Sequence, residues 1–420
     1  MKNQTALDFR ISVAYRRISS VEEAKNFFGP ISVKERAWRG DVYFNALLKS
    51  ARSRLGIGEH DRAEAYIFGN GNYPIRDEQA HLNHFPVSVK VMKVDALFIA
   101  PGEVVDLTAY ADEFPWPIGE EEIYLHLTIN RLVLSAQSKL LVKGNVFILN
   151  CLKAIGNNMG EDQAIIELGS SNSVQHSVAS RLIPIKRVEN RGSNGIDGEP
   201  LMRESTPLGV RIIEGSDSCK GKKGGEGSSG IDGTIGANGA MLFLSDLRFN
   251  ELEGFREQSI KLKAGAAHGF PGGDGSDGGD GGDGGNGASG EVTPFGIIQG
   301  FCGGAGGRGG DGGNGGRGGH GGLACDVFVS VPDQKSFVFQ VETFASIGGK
   351  GGSGGKGGKG GLAGTNGQLC VAENIQSISI GGEDGMDGSS GCDGKTRCAP
   401  NVNIYEQPET IKQQLKMILS

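Results

Sequence analysis

Residues 269–290 read GFPGGDGSDGGDGGDGGNGASG. Glycine holds every third position from Gly269 to Gly290, and Asp274, Asp277, Asp280 and Asp283 recur in another phase of the same period. Five further tracts keep this period, at 192–198, 221–239, 303–321, 349–367 and 382–394. Of the 73 glycines in the 420-residue chain, 12 lie outside 192–394, so glycine is concentrated in one half. Collagen shares the period but needs abundant proline, and Pro271 is the one proline in the six tracts. A flexible linker is the other ordinary reading of glycine-rich sequence. Two features oppose it: the four middle tracts have matched lengths of 19, 22, 19 and 19 residues, and the strand-like apolar segments between them would have no core to join if the tracts were loose.

A left-handed threefold helix of the polyproline-II type rises about 3.1 Å per residue, so a tract of about 19 residues would span about 59 Å. Such a helix has no internal hydrogen bonds. Its N–H and C=O groups need neighbours, and glycine ridges let other backbones come close enough to serve. The expectation is a stacked array of polyglycine-II helices. Asp274, Asp277, Asp280 and Asp283 would stand on an outer ridge about 9 Å apart as a solubilising surface, with Lys350, Lys356 and Lys359 on the matching ridge of a later rod. Residues 291–302 reach at most about 40 Å, too short to return along a rod, so the tracts they join are expected to be antiparallel, and 368–381 gives the same result. The segment CDVFVSVPDQKSFVFQVETF, 325–344, reads as an amphipathic hairpin turning at Pro332-Asp333, which makes its flanking tracts antiparallel too. Across 240–268 the direction stays open.

Residues 1–85 read as a small α/β segment, with a strand in ALDFRISVAY, a capping box at Ser20 and Glu23, and a helix from Asp41 to Gly56. From 86 to 190 short strands follow one another, and YLHLTINRLVLSAQSKLLVKGNVFILN alternates through three of them, as in a β-solenoid or a tight sandwich. The expected fold is therefore mainly β: a small α/β segment (1–85), a strand-rich solenoid or sandwich (86–190), an array of antiparallel polyglycine-II helices joined by short strands (191–398) and a helical tail (399–420).

A net charge of −7 argues against a general grip on nucleic acid or anionic membrane. GGRGG occurs around Arg308 and Arg317, but its tract has no aromatic to stack on bases, so no nucleic-acid partner is expected. The opening MKNQTALDFRISVAYRR lacks the apolar core of a secretory signal, and no apolar run of about 18 residues occurs. The expectation is a soluble chain, cytoplasmic before release and extracellular or on a virion surface after it.

Chemistry-bearing patterns are sparse. GGDGSDGGD, 272–280, begins like a calcium-binding nonapeptide repeat, but Gly279 stands where that motif needs an aliphatic residue, and no cofactor is expected. Glu78, His81 and His84 are spaced by three beside Pro86, without a fourth metal ligand. Asp106, Asp112, Glu113, Glu120, Glu121 and Glu122 could supply the paired carboxylates of a β-solenoid carbohydrate enzyme, although an acidic loop explains most of them. Trp116 between two prolines hints at carbohydrate contact. Seven cysteines show no metal-type spacing, and free thiols are the default. Strict alternation of rods would gather Cys219, Cys302 and Cys370 at one end and Cys325, Cys392 and Cys398 at the other, where cross-rod disulfides could form.

GGDGGDGGNG, GGRGGDGGNGGRGGHGG and GGKGGSGGKGGKGG resemble the tracts of polyglycine-II sandwich proteins, among them receptor-binding adhesins at the tips of bacteriophage long tail fibres. The resemblance covers about half the chain, 192–394. It implies loops that carry receptor specificity, which here are the connectors bearing Phe295, Phe301, Asp333, Lys335 and Phe337, with Trp116 as a further contact. Phe295, Phe301, Phe337, Phe339 and Phe344 are otherwise core residues. The expected function is a non-enzymatic adhesin or receptor-binding tip. Its partners would be a cell-surface receptor or glycan, and a fibre or secretion-apparatus protein at the N-terminal region. The alternatives are a bacterial toxin, insecticidal or pore-forming, whose connectors such as 240–268 meet a membrane, and a carbohydrate-active enzyme on 86–190.

Overall fold

In IYLHLTINRLVLS apolar residues alternate from Ile123 to Ile129 and, after a one-residue shift at Asn130-Arg131, again at Leu132 and Leu134, which suits a strand with one face in a core. In the computed structural model these residues form β4 (Ile123–Ser135). The structure describes residues 11–28, 33–42, 67–69, 84–119, 121–157, 159–169, 191–207, 209–213, 215–294, 296–371 and 380–406. The described chain is strand-rich.

The strands come in pairs. A strand of the first sheet is followed across a short arch by one of the second: β2 (Val87–Ile99) with β3 (Val104–Asp106), β4 with β5 (Lys139–Lys143), and β6 (Val146–Asn157) with β7 (Ala164–Gly169). Two small hairpin strands follow, β8 (Arg203–Thr206) and β9 (Gly209–Ile212), and then β10 (Ser245–Glu253) with β11 (Ile260–Gly265). A second small hairpin, β12 (Glu291–Thr293) and β13 (Gly296–Ile298), precedes β14 (Val327–Val331) with β15 (Phe339–Phe344), and β16 (Val402–Glu406) is last. The larger sheet has the order β1-β2-β4-β6-β10-β14-β16, where β1 is Ile11–Ile18, and the smaller is β15-β11-β7-β5-β3. Every pairing in these two sheets is parallel except β1 with β2.

The parallel register stacks like on like. Met92, Leu127, Leu149, Leu247, Val329 and Ile404 form one row across six strands. This row and its neighbours bury against Leu140, Val142, Ile166, Ile260 and Leu262 of the second sheet in a single core. The other face of the larger sheet is covered too. There α1 (Val21–Phe27) and α2 (Val33–Val42) help bury Tyr124, Val146, Ile148, Leu244 and Phe328. Ser20 caps α1 as the sequence implies, with Glu23 N donating to Ser20 Oγ at 3.2 Å, while the Glu23 carboxylate reaches back one residue further and accepts from Ser19 N at 3.0 Å.

Several expectations change. Residues 325–344 are no hairpin: β14 and β15 lie in different sheets, because inward alternation fits an arch as well as a turn between paired strands. Residues 240–268, read as a connector, supply β10 and β11. The sheets run from 86–169 into 245–344 and 402–406, so no boundary between separate cores falls at residue 190. Within the tail read as helical, residues 402–406 form strand β16, held by its register with β14, and 407–420 lie outside the described residues. The helix expected over 41–56 lies outside the described residues apart from its first two, which end α2, and so does the stretch 170–190 at the end of the strand-rich segment.

The glycine tracts leave the sheets between successive strand pairs and return to them. They lie in two layers, 192–198, 269–290 and 349–367 in one and 221–239, 303–321 and 382–394 in the other. Neighbours in a layer run parallel: Gly272, Gly275 and Gly278 N–H donate at 2.8 Å to Lys350, Ser353 and Lys356 C=O. Tracts facing each other across the layers run antiparallel: Gly310 donates to Gly279, Gly313 to Ser276 and Gly316 to Gly273. Among the described residues no backbone hydrogen bond joins two residues of one tract. The antiparallel direction inferred from connector length is thus present across 291–302 and 368–381; it holds also across 322–348, where the hairpin that suggested it is absent, and across 240–268, where Gly279 donates to Ser228 and Gly282 to Gly225. A Cβ on Gly310 would sit 2.0 Å from the Ser228 oxygen, so this approach admits glycine alone.

The aspartate ridge does more than face solvent. Asp274, Asp277, Asp280 and Asp283 accept, through Oδ1, the outward N–H of Ser353, Lys356, Lys359 and Leu362 at 2.7–2.8 Å. Asn286 does the same for Thr365, Asp311 for Met386, Asn314 for Ser389, and Asp232 for Asn314. The third amide of each repeat points away from backbone partners, and a short acceptor side chain on the preceding rod satisfies it.

Candidate functional site

Because tracts 192–198, 269–290 and 349–367 run away from the sheets, the described residues that follow them, within 199–220, 291–302 and at 368–371, meet at the far end of the array. Two of these carry the same local solution. Thr206-Pro207-Leu208-Gly209 and Thr293-Pro294-Phe295-Gly296 each close a hairpin in which the threonine hydroxyl donates to the glycine C=O, at 2.7 and 2.8 Å. Gly209 and Gly296 take φ of 122° and 143°, which side chains other than hydrogen rarely permit. The repeated T-P-x-G was legible in the sequence as a pair and passed unused.

The two hairpins are joined by Arg203 to Glu291 at 3.0 Å. Around this ion pair the end of the array presents aliphatic side chains to solvent: Val210 is 65%, Val292 67% and Ile297 66% exposed, with Met202, Val371 and Ile380 exposed also. The half-buried Phe301 ring stands against Gly215 and Leu201, where a Cβ on Gly215 would come within 2.5 Å of it. Phe301 is therefore a buttress between two connectors, while Phe295 lies outside the described residues.

The remaining candidates are elsewhere. Asp333, Lys335 and Phe337 belong to the arch between β14 and β15, at the opposite extremity, where Lys335 Nζ lies 5.7 Å from the centre of the half-exposed Phe337 ring. Trp116 is half-buried near the N-terminal edge of the sheets, its Nε1 donating to Ser88 Oγ at 2.9 Å and its ring 5.7 Å from Phe114. It is a packing residue there, not the exposed aromatic its proline neighbours suggest. Phe339 lines the core, and Phe344 is partly exposed at the sheet edge. The structure does not bring the arch and Trp116 to the connectors that hold Phe301.

The acidic loop has local partners. Glu121 pairs with Arg17 and accepts from Ser88 Oγ at 2.7 Å, and Glu113 pairs with Lys90 at 2.5 Å. Glu78, His81 and Glu120 lie outside the described residues, and His84 is buried with Nε2 3.0 Å from the Tyr124 hydroxyl. Among the described residues no group of three His, Cys, Asp or Glu side chains is placed to hold a metal ion.

A buried charged cluster went unseen in the sequence. Arg39 on α2 grips Asp246 on β10 with two hydrogen bonds of 3.1 and 3.0 Å, pairs with Glu35 at 2.7 Å and donates to the Tyr405 hydroxyl at 2.7 Å. Arg248 completes the cluster at 2.7 Å from Asp246. Burial opposes ionisation of Asp246, yet Arg248 and Arg39 hold its carboxyl down to about 2. Polar residues alternating with Leu247 and Phe249 look like a solvent face, and only the helix above them makes them interior. Beside the cluster, burial, with Arg248 and Lys93 adding to it, lowers the His126 imidazole to about 4. These charges clamp the N-terminal segment onto the sheet.

All seven cysteines stand as free thiols, the default read from their spacing, and the gathering of Cys219, Cys302 and Cys370 at one end is visible. Gly221 N–H donates to Cys302 C=O and Ala288 N–H to Cys219 C=O at the connector end, where Cys302 and Cys370 bring their Sγ atoms to 2.9 Å. Among the described residues no helix is long and apolar enough to cross a membrane. No family model, curated protein or solved structure matches the chain.

Proposed function

We propose that this chain is a non-enzymatic recognition protein: a β-solenoid whose coils are drawn out into polyglycine-II rods that hold three connectors away from the body for contact with a cell-surface receptor or glycan. The observation that carries this reading is the convergence of the described parts of 199–220 and 291–302 with 368–371 at one end, the first two as matched hairpins with exposed Val210, Val292 and Ile297. Solvent-facing aliphatic residues on rigidly anchored turns suit contact with another molecule better than they suit solubility. The polyglycine-II sandwich resemblance points the same way. The N-terminal segment, clamped to the sheet through Arg39, is the side on which a fibre or secretion-apparatus protein would attach. A membrane-active reading draws less support, because 240–268 provides core strands, and an enzymatic one draws less from Glu121, which is tied to Arg17 and Ser88.

Whole-cell and glycan-array binding tests the proposal. Replacing 203–212 and 291–298 together by glycine-serine segments of equal length should weaken binding at least about tenfold, the effect of losing one or more contact anchors, with thermal unfolding of the sheets unchanged. Binding that survives the double replacement at full strength overturns it.

A further inference from the structure

Cys302 precedes the 303–321 tract and Cys370 follows the 349–367 tract, and the backbone itself brings them together. Gly300 pairs with Cys370 as an isolated parallel bridge. Gly300 N–H donates to Leu369 C=O at 3.2 Å, Gly290 N–H to Gln368 C=O at 2.8 Å and Gly367 N–H to Phe301 C=O at 2.9 Å. Gly303 N–H donates to Asn366 Oδ1 at 2.9 Å. Within this lacing the two sulfurs stand 2.9 Å apart, about 0.9 Å more than an S–S bond requires. Both residues are half-buried, whereas Cys151, Cys219 and Cys325 are buried and Cys392 and Cys398 are exposed on the surface.

We propose that Cys302 and Cys370 are a redox clasp, forming a reversible disulfide that ties connector 291–302 to connector 368–381. The oxidant is a small-molecule disulfide of the glutathione class. The Cys302 thiolate attacks one sulfur of the oxidant and expels one glutathione thiolate. Cys370 then yields its proton to solvent and attacks the Cys302 sulfur, expelling the second. Two protein thiols lose two protons and two electrons, and one oxidised glutathione becomes two reduced ones. Burial and the hydrogen bond with Cys302 push the Cys370 thiol up to about 11, and the same cross-link forms whichever of the two thiols attacks first. The clasp stands independently of the recognition reading, since it is read from thiols and not from binding.

The experiment uses the full chain with Cys392→Ser and Cys398→Ser, which leaves five of the seven cysteines. After equilibration with oxidised glutathione, acid quenching and unfolding, three titratable thiols are expected. A non-reducing peptide map should join the peptide of Cys302 to that of Cys370, and dithiothreitol should restore all five thiols. Adding Cys219→Ser should leave the cross-link intact, and adding Cys302→Ser or Cys370→Ser should abolish it. Five thiols after oxidation, a lasting mixed disulfide at either position, or a cross-link that runs through Cys219 overturns the clasp.

Discussion

Residues 123–169 and residues 269–321 are both packed, but with different components of the chain. In the first, Leu127, Leu149, Ile166 and their neighbours exclude water with side chains, and the backbone ladders lie between the layers that do so. In the second, backbone packs on backbone, and what side chains remain stand outside or reach across to cap an amide. A side-chain core is harmed by removing atoms and a backbone core by adding them. The same chain therefore carries two opposite rules for which substitutions it tolerates.

Adding atoms to the backbone core should produce the largest effect. Gly310→Val places carbon 2.0 Å from the Ser228 oxygen, with no flexible neighbour to yield, and should cost at least about 5 kcal/mol, beyond the usual range of single substitutions. Hydrogen exchange should show Gly227, Gly358 and Gly385 losing protection while β4 to β7 keep theirs. Loss spread evenly over both regions would break the comparison. The mirror experiment is Leu149→Ala, which empties a fully buried position and should cost about 4 kcal/mol in chemical denaturation.

Acid should act on the sheet side first. His126 is neutral when folded and takes up a proton on unfolding, so its contribution is complete above pH 6.5 and drains as the pH falls from there toward about 4. That loss is on the order of 3 kcal/mol, and His126→Gln should flatten it in a pH series of unfolding free energies. Asp246 works in the same sense lower down, its contribution being lost as the pH falls from 3.8 to about 2. The smallest effect sharpens the account of the outer ridge. Asp280→Ala removes the acceptor of the Lys359 amide and should cost about 1 kcal/mol. Asp280→Asn keeps Oδ1 and should cost nearly nothing, which a role in solubility or charge alone would not produce.

Much of the rod array was legible because its rule is local. Every third glycine marks a tract, and connector length against rod length fixes direction where the connector is short, at 291–302 and 368–381. The sheets were half legible. Alternation in 123–149 announced strands, but nothing nearby reveals that 245–253 lies beside 146–157, since the pairing spans an excursion of some 75 residues from Gly169 to Ser245. The role of Asp274, Asp277 and Asp280 was hidden for the same reason. Each caps an amide 79 residues further on, a separation set by one whole circuit of rods and strands. Arg39 and Asp246 are 207 residues apart, and their burial depends on a helix whose sequence, VKERAWRGDV, carries no strong apolar stripe. The connectors were visible as segments, and the doubled T-P-x-G turn within them could have been found by comparing the chain with itself.

Within a layer the capping side chains also point one way along the sequence. In each layer the earlier rod lends an acceptor and the later rod a donor, as Asn194 and Asp197 do for Asp283 and Asn286, and Asp274 for Ser353. On the final rod of the first layer those places are taken by Lys350, Lys356 and Lys359, which have nothing to lend, and its outer amides at Gly351, Gly357 and Gly360 are claimed by Asp393, Asp387 and Asp384 of the chain itself. The array thus carries its own full stop: a neighbouring molecule that offered another glycine rod at this border would meet ammonium groups and occupied donors instead of an invitation to continue.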